Sequence, residues 1–468
     1  MKRVLCFLLV LVLLGASLLG VTAFSLVKES DNVTFTLIDE WGDRRALQGI
    51  SAEMSFTLHE KIHWEVKYTP FEKTETEFDY DTFYPLSYKN NYHYYGFGTP
   101  SIGLLQLKNE NEELQQLVDE LKAEALENDK RASARINFCD YYEYYPVNLN
   151  VSLPGISIDW HNGFGMDEKG KYVFEGISPS RGQGVIDAFN GYFRIPVGES
   201  DVREISVLPN NNANFSYQTN REDTFDFLFN TVRTDSHVYF SFENEINTGH
   251  EWTRELVDTS LIPGGYGIYS LPYTENDVKY EDIETVYSVP SDATVKALMM
   301  DEERQELYLV LYENEKLVLH IIDMSTMTDK SVIELSDFKY GDYLRVSENE
   351  NYFVFIKNDV DFTVVSINGD GKWETALAGT MPPETIADRD YFSYRSRFGF
   401  DGERLVVWVI EAPGTEEIKL LSLQPDVMVF TKDGIQYYGK WLCSLGEPIT
   451  EVHRWESVGV RDWKITFQ

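Results

Sequence analysis

The sequence predicts a mainly β protein with one long amphipathic helix. Apolar and polar residues alternate along most of the chain, which is typical of half-buried strands. One stretch alone shows the three-to-four-residue spacing of a helix. The C-terminal half repeats a strand–turn–strand rhythm of about 40 to 47 residues, as the blades of a propeller do. We therefore expect a small N-terminal β module, the helix, and then a β-propeller-like domain, with paired β-sandwiches as the alternative.

The first 24 residues predict export. Lys2 and Arg3 precede an uncharged apolar run from Val4 to Phe24, which ends in small residues and has the pattern of a secretory signal. Val21-Thr22-Ala23 fits a cleavage site before Phe24, but the run is also about long enough to span a bilayer uncut. Both alternatives place the rest of the chain outside the cytoplasm, either secreted or anchored to the plasma membrane by residues 1–24.

Residues 25–99 are expected to form the small β module. Val33 and Phe35 alternate with polar residues, and a second alternation runs from Phe56 to Tyr68. The tyrosine-rich stretch Phe78–Phe97 fits aromatic packing under the next element or a stacking platform for sugar rings.

Residues 100–131 are expected to form the amphipathic helix. Thr99 and Pro100 suit an N-cap and a first helical position, and Lys130-Arg131 suits the negative end of the helix dipole. The apolar residues of one face are Leu107, Leu114, Val118, Leu121 and Ala125. We expect this face to pack on the β module, with self-association as the alternative.

The rest of the chain is expected to be a β-rich connection over residues 132–181 and a propeller-like domain over residues 182–468. The repeating segments are 236–272, 293–335, 336–381 and 384–430. An unclosed sheet would leave an aggregation-prone edge. We therefore expect the last strand, near Trp463–Phe467, to pair in or beside the first blade.

Composition excludes nucleic acid as a partner. Asp and Glu number 77 against 41 for Lys and Arg, which gives a formal net charge of −36. Such a surface repels phosphate backbones and anionic headgroups, so we expect membrane contact only through residues 1–24. Cys139 and Cys443 are too few for a disulfide framework, and we expect two separate buried thiols, with a disulfide between them as the alternative.

The segment His59-Glu60-Lys61-Ile62-His63 matches the H-E-x-x-H pattern of zinc metalloproteases. That pattern needs both imidazoles one helical turn apart on one helix face. The surrounding sequence alternates as a strand does, which sends both histidines to the solvent side. We therefore predict no metal site here.

Arg395 and Arg397 are the candidate binding residues. They lie in a mixed-charge strand whose opposite face carries Phe398 and Phe400. If this strand is the innermost of its blade, the two guanidinium groups line the central channel and can hold an anion. Ion pairs at the blade edge are the alternative. The sequence offers no G-x-S-x-G, P-loop or C-x-x-C motif, so we name no catalytic residue and no cofactor.

Phe193-Arg194-Ile195-Pro196 resembles the F/Y-R-I-P motif of sialidases, and the segment Ser366–Trp373 is similar in outline to the Asp-box turn of that family. The resemblance implies a propeller and an arginine that contacts a substrate carboxylate. Asn368 stands where an Asp-box has aspartate, and Asp370 stands where it has glycine. An ordinary Asn-Gly-Asp-Gly hairpin turn is the alternative.

The order of the segments resembles that of uncharacterised extracytoplasmic proteins of clostridial-type Gram-positive bacteria. The local sequence Asp140-Tyr141-Tyr142-Glu143-Tyr144-Tyr145-Pro146 also resembles sequences in those proteins. The resemblance implies export and a propeller-like C-terminal half, and it implies no known activity. We expect a binding role toward a cell-surface protein or glycan rather than catalysis. A glycan-acting hydrolase and an envelope scaffold are the alternatives.

Overall fold

The computed structural model describes the chain in separate stretches. They are residues 15, 17, 33–58, 62–80, 111–144, 165–166, 172–173, 192, 194, 196–199, 202–209, 216–217, 229–246, 255–256, 258, 260–274, 277–278, 282–339, 341–382, 396–409, 425–444 and 459–468. They form two compact units. Unit 1 is Met1–Lys89 with Tyr343–Gln468, and unit 2 is Asn90–Asp342.

The described secondary structure is mainly β. The N-terminal strands are β1 (Phe35–Gly42), β2 (Ile50–Leu58), β3 (Ile62–Tyr68) and β4 (Glu75–Tyr80), with a 3-10 helix at Arg44–Leu47. Unit 2 holds helix α1 (Glu112–Asn128), a 3-10 helix at Phe138–Asp140, and strands β5 (Ala132–Asn137), β6 (Gly165–Met166), β7 (Tyr172–Val173), β8 (Val202–Val207), β9 (Ser216–Tyr217), β10 (Phe229–Arg233), β11 (His237–Phe242), β12 (Glu245–Ile246), β13 (Glu255–Leu256), β14 (Gly267–Thr274), β15 (Asp277–Val278), β16 (Glu284–Ser288), β17 (Thr294–Asp301), β18 (Glu306–Glu313), β19 (Lys316–Asp323) and β20 (Thr328–Asp337). The C-terminal strands are β21 (Leu344–Asn349), β22 (Tyr352–Lys357), β23 (Asp361–Ile367), β24 (Trp373–Thr380), β25 (Ser396–Phe400), β26 (Leu405–Val409), β27 (Asp426–Thr431), β28 (Gly434–Cys443) and β29 (Gly459–Phe467).

Unit 1 contains three antiparallel sheets whose strand orders are β29-β2-β3-β4, β1-β28-β27-β26-β25 and β21-β22-β23-β24. Both ends of the chain therefore share sheets. Ile50 on β2 pairs with Phe467 on β29, and Phe35 on β1 pairs with Cys443 on β28. The N-terminal strands do not form the self-contained module that we expected, because local alternation predicts a strand but says nothing about its partner. The last strand pairs with β2, and not with a strand near residue 182.

The core of unit 1 lies where these sheets face one another. Alternation along β3 buries Trp64, Val66 and Tyr68. They join one apolar cluster with Trp408 and Trp441 from the C-terminal strands. Burial of these large aromatic side chains provides much of the hydrophobic free energy of the unit.

Unit 2 contains the sheet β17-β18-β19-β20 and a second sheet of β10, β11, β14 and β16, in which β15 pairs with β14. Smaller sheets are β5-β8-β9, β6-β7 and β12-β13. The sheet β17–β20 is a meander of four consecutive strands, as β21–β24 is in unit 1. These two sheets coincide with the predicted repeats 293–335 and 336–381, which confirms the predicted strand–turn–strand rhythm there.

Helix α1 confirms the predicted apolar face, since Leu114, Val118, Leu121 and Ala125 are all buried. Its bounds differ from the predicted 100–131. The N-cap is Asn111, whose side chain accepts the Leu114 N–H at 2.8 Å, and residues 100–110 lie outside the described stretches.

The C-terminal end of α1 and its packing partner also differ from the prediction. Asp129 adopts a left-handed conformation (φ 48°) and ends the helix before Lys130-Arg131. The helix packs on β5 and β8 within unit 2, rather than on the N-terminal strands.

The predicted export segment and the tyrosine-rich stretch after residue 80 lie largely outside the described residues. In the part of the chain that the structure covers, no helix is both long enough and apolar enough to cross a membrane. Cys443 is a buried free thiol, as expected, whereas the Cys139 thiol is free but only half-buried.

Candidate functional site

Arg397 lies on β25, which is an edge strand of its sheet and contacts β29. The two strands approach closely at Gly399, where an added Cβ would stand 2.6 Å from Ile465 Cγ2. A side chain there would collide, so glycine permits the approach. Arg397 is thereby placed on an edge strand beside the last strand of the chain.

The Arg397 side chain is half-buried, and its Nη1 donates a hydrogen bond to the Ser396 carbonyl at 3.0 Å. A guanidinium keeps its charge at any physiological pH and offers five N–H donors in a planar fork, which suits carboxylate ligands. Arg395 lies outside the described residues. The pairing of both arginines around one ligand therefore stays a prediction.

Arg194, the arginine of the F-R-I-P segment, belongs to a different cluster in unit 2. Its Nη2 lies 2.6 Å from Asp258 Oδ2, and its guanidinium stacks over the Tyr144 ring at 4.2 Å. The Tyr144 hydroxyl donates to the same carboxylate at 3.3 Å. Backbone N–H groups of Arg194 and Asp258 donate to each other's carbonyls, so the two chain segments are fixed together.

Asp258 neutralises the charge of Arg194. Hydrogen bonds from Ser260, followed by the charge of Arg194, hold the pKa of Asp258 below its ordinary value. A carboxylate that is ionised and paired in this way leaves little net positive charge for an anionic ligand. The cluster acts chemically as a structural ion pair between two segments, and the carboxylate-binding role that the sialidase resemblance implies stays a prediction.

The segment Ser366–Trp373 forms the hairpin turn between β23 and β24. The Asn368 side-chain oxygen accepts the N–H groups of Asp370 and Lys372, both at 3.0 Å, and Gly371 adopts φ 75°. Two backbone hydrogen bonds also close the turn, from the Asn368 N–H to the Lys372 carbonyl at 2.8 Å and from the Gly371 N–H to the Asn368 carbonyl at 2.9 Å, as expected for an ordinary hairpin turn.

The H-E-x-x-H segment is not helical where the structure describes it. Ile62 and His63 lie on β3, where His63 is half-buried and pairs with Thr57 and Asp79 on the neighbouring strands. His59 and Glu60 lie outside the described stretches. Among the residues that the structure covers, no three His, Cys, Asp or Glu side chains converge as metal ligands.

Sequence reasoning missed a second cluster of tyrosine, arginine and aspartate. Asp359 accepts a hydrogen bond from the Tyr343 hydroxyl at 2.5 Å and forms an ion pair with Arg345 at 3.2 Å. Burial and the Asp359 carboxylate raise the pKa of Tyr343 to about 12. Tyr343 and Arg345 lie two positions apart in the sequence, but Asp359 comes from the turn after β22. No local sequence pattern therefore reveals the cluster.

A histidine cluster in unit 2 was also missed. His320 on β19 lies between Asp329 (Nδ1 to Oδ1, 3.2 Å) and Glu313 (Nε2 to Oε1, 3.6 Å). The Tyr287 hydroxyl on β16 donates to Asp329 at 3.0 Å, and burial raises the pKa of that hydroxyl. Because β16 belongs to the neighbouring sheet, the cluster joins two sheets of unit 2.

No protein-family model matches this chain, and no curated protein shows significant sequence similarity to it. Among solved structures, the periplasmic gluconolactonase PpgL of Pseudomonas aeruginosa is similar over 89% of this chain and 99% of that chain, at 6% identity and a TM-score of 0.32. Apo AztD from Citrobacter koseri is similar over 89% and 98%, at 10% identity and a TM-score of 0.26. The N-terminal domain of Nup159 is similar over 53% of this chain, which spans 59% of that domain, at 12% identity and a TM-score of 0.24. Scores this low do not establish a shared fold or a shared function.

Proposed function

We propose that this chain is an exported extracytoplasmic binding protein, secreted or anchored by residues 1–24, whose sheets form a propeller-type module. The observation that supports the propeller-type module is the sharing of sheets between the N-terminal and C-terminal strands. The last strand, β29, extends the sheet of β2–β4, and β1 extends the sheet of β25–β28. Propellers close their ring by this exchange of terminal strands, because closure protects edges that would otherwise aggregate.

The proposed ligand site is Arg397 together with Arg395. β25 and β29 are edge strands of two sheets of unit 1 and contact each other. In a propeller, the innermost strands of neighbouring blades lie side by side in this way around the central channel. On a chain with a net charge of −36, anions are repelled from most of the surface. Arg397 and Arg395 supply positive charge at one place on this surface. They therefore favour the binding of a carboxylate-bearing glycan or an acidic surface protein there.

A binding role is favoured over hydrolysis by the state of Asp258, whose carboxylate lies 2.6 Å from Arg194. Glycoside hydrolysis needs two carboxyl groups that flank the scissile bond, one of them poised to donate a proton. Hydrogen bonds from Ser260 and the charge of Arg194 hold the pKa of Asp258 below its ordinary value, so this carboxyl group is a poor proton donor.

Export is tested with a reporter fused to the chain with and without residues 1–24. The full sequence should carry the reporter out of the cytoplasm, and the truncated one should not. Export without residues 1–24 would remove the premise of the proposal.

Binding is tested by retention on immobilised cell-wall and host glycans, with and without carboxylate groups. The Arg395→Ala/Arg397→Ala double variant should bind a carboxylated glycan at least tenfold more weakly, a loss of about 1.4 kcal/mol. Arg304→Ala is the matched control, since Arg304 is paired with Asp301 at a surface turn of unit 2. Turnover of a glycan would favour a hydrolase, and no retention of any ligand would favour a scaffold.

A further inference from the structure

Phe71 is an exposed aromatic residue in a strained turn. The Glu72 N–H donates to the Thr69 carbonyl at 3.1 Å, with Pro70 and Phe71 between them. Phe71 has φ 74° and is 59% exposed. This is the pattern of a type II turn, whose third position favours glycine or asparagine. A bulky residue there costs backbone energy, and its exposed ring contributes little burial in return. The fold alone therefore gives no reason for phenylalanine at this position.

The Phe71 turn joins β3 to β4 in the sheet β29-β2-β3-β4 and lies beside the start of β1. Tyr68, directly before the turn, stacks on Phe35 at 4.5 Å, and Thr69 is hydrogen-bonded to Ser51 at 2.8 Å. Just before β1, Val33 is buried, so the chain is fixed to unit 1 from there onward.

Only eight residues, 25–32, separate Val33 from the end of the predicted apolar run at Phe24. A fully extended segment of that length reaches about 29 Å at most. An uncut apolar run that spans the bilayer would thus hold the Phe71 turn close to the outer membrane surface.

We propose that Phe71 inserts into the interfacial layer of the bilayer that anchors residues 4–24. This inference rests on the anchored form of the proposed function. Phenylalanine is one of the residues that interfacial segments bury at the boundary of headgroups and acyl chains, where the ring leaves water while the backbone remains hydrated. The net charge of −36 opposes binding to anionic headgroups, so the favoured surface is zwitterionic lipid.

The test uses the full-length chain in phosphatidylcholine vesicles, with a photoreactive phenylalanine analogue in place of Phe71. The matched control carries the same analogue in place of Trp41, which is 39% exposed and lies toward the other end of β1, within unit 1. Lipid adducts should form several-fold more often at position 71 than at position 41. Equal yields would overturn the proposal, as would adducts at position 71 that join two protein chains instead of protein and lipid.

Phe71→Gly provides a second, independent measurement. Glycine suits φ 74°, so the variant should melt a few degrees higher than the original chain. A lower melting temperature would show that Phe71 serves the packing of unit 1 and would overturn the inference. A mature protein that begins at Phe24 would also overturn it, because the tether would be lost, yet it would leave export and glycan retention intact.

Discussion

Gly399→Ala is expected to destabilise unit 1, because it adds a methyl group where β25 meets β29. The new Cβ would stand 2.6 Å from Ile465 Cγ2, 2.7 Å from Ile465 Cβ and 3.1 Å from Phe467 Cε2. Non-bonded carbons normally lie about 3.5–4.0 Å apart. Either β29 must move or Ile465 must leave its rotamer, and overpacking of this kind costs about 1–3 kcal/mol. Urea unfolding followed by tryptophan fluorescence measures this loss in the free energy of unfolding.

Removing the colliding side chain should compensate. Ile465→Gly removes both Cγ2 and Cβ, the two atoms of Ile465 that the added methyl group would meet, and alone it should cost about 2–4 kcal/mol, because it removes a partly buried side chain from β29. In the double variant the methyl group added at position 399 occupies vacated space, so the combined loss should fall short of the sum by about 1–2 kcal/mol. Gly369→Ala is the control, since nothing lies within 4 Å of an added Cβ there. Additive losses, or a Gly399→Ala variant as stable as the original, would refute the close contact of β25 with β29 and weaken the proposed inner-strand arrangement.

Three further results are expected. Tyr266→Phe should lower the free energy of unfolding by roughly 2–4 kcal/mol. The buried Tyr266 hydroxyl donates to the Phe242 carbonyl at 2.7 Å and accepts the Val295 N–H at 3.0 Å, and the variant loses both hydrogen bonds. An unchanged denaturation midpoint would contradict this. Asp258 has a lowered pKa, so it stabilises the fold above its unfolded pKa and loses that effect as the pH falls through its folded pKa. Asp258→Asn should therefore show a smaller drop in melting temperature than the original chain as the pH falls below 3.8, the ordinary pKa of aspartate, and parallel curves would argue against it. Deleting residues 462–468 removes most of β29 and should unfold or aggregate unit 1, whereas a monomeric product with normal melting would favour paired sandwiches.

Local structure was predictable from the sequence where one element decides its own pattern. The face of Leu114, Val118, Leu121 and Ala125 is buried as the helical spacing indicates. The end of α1 was not predictable in the same way, because Asp129 takes a left-handed conformation that aspartate only occasionally adopts. Lys130-Arg131 consequently falls outside the helix.

Partners that are distant in the sequence were not predictable. Neither the sequence of β2 nor that of β29 indicates that the two strands pair, since each shows only its own alternation of apolar and polar residues. Arg194 likewise showed a recognisable motif, but nothing near it indicates that Asp258 neutralises its charge. Arg397 was placed on a strand correctly, because alternation of Phe398 and Phe400 with polar residues is a local property.

Because β1 and β2 pair with strands from the other end of the sequence, the sheets of unit 1 form late in folding. Gln468 donates its backbone N–H to the Gly49 carbonyl at 2.8 Å, and its side chain reaches Ser51, which lies 417 positions earlier. At about 5–20 residues per second, β2 waits roughly 20–80 s for β29 to be synthesised. During that interval β1 and β2 have no partners at these edges, and unit 1 has no complete core. Unit 1 can therefore complete its core only after β29 has left the ribosome, so the unit folds after synthesis of these strands rather than during it.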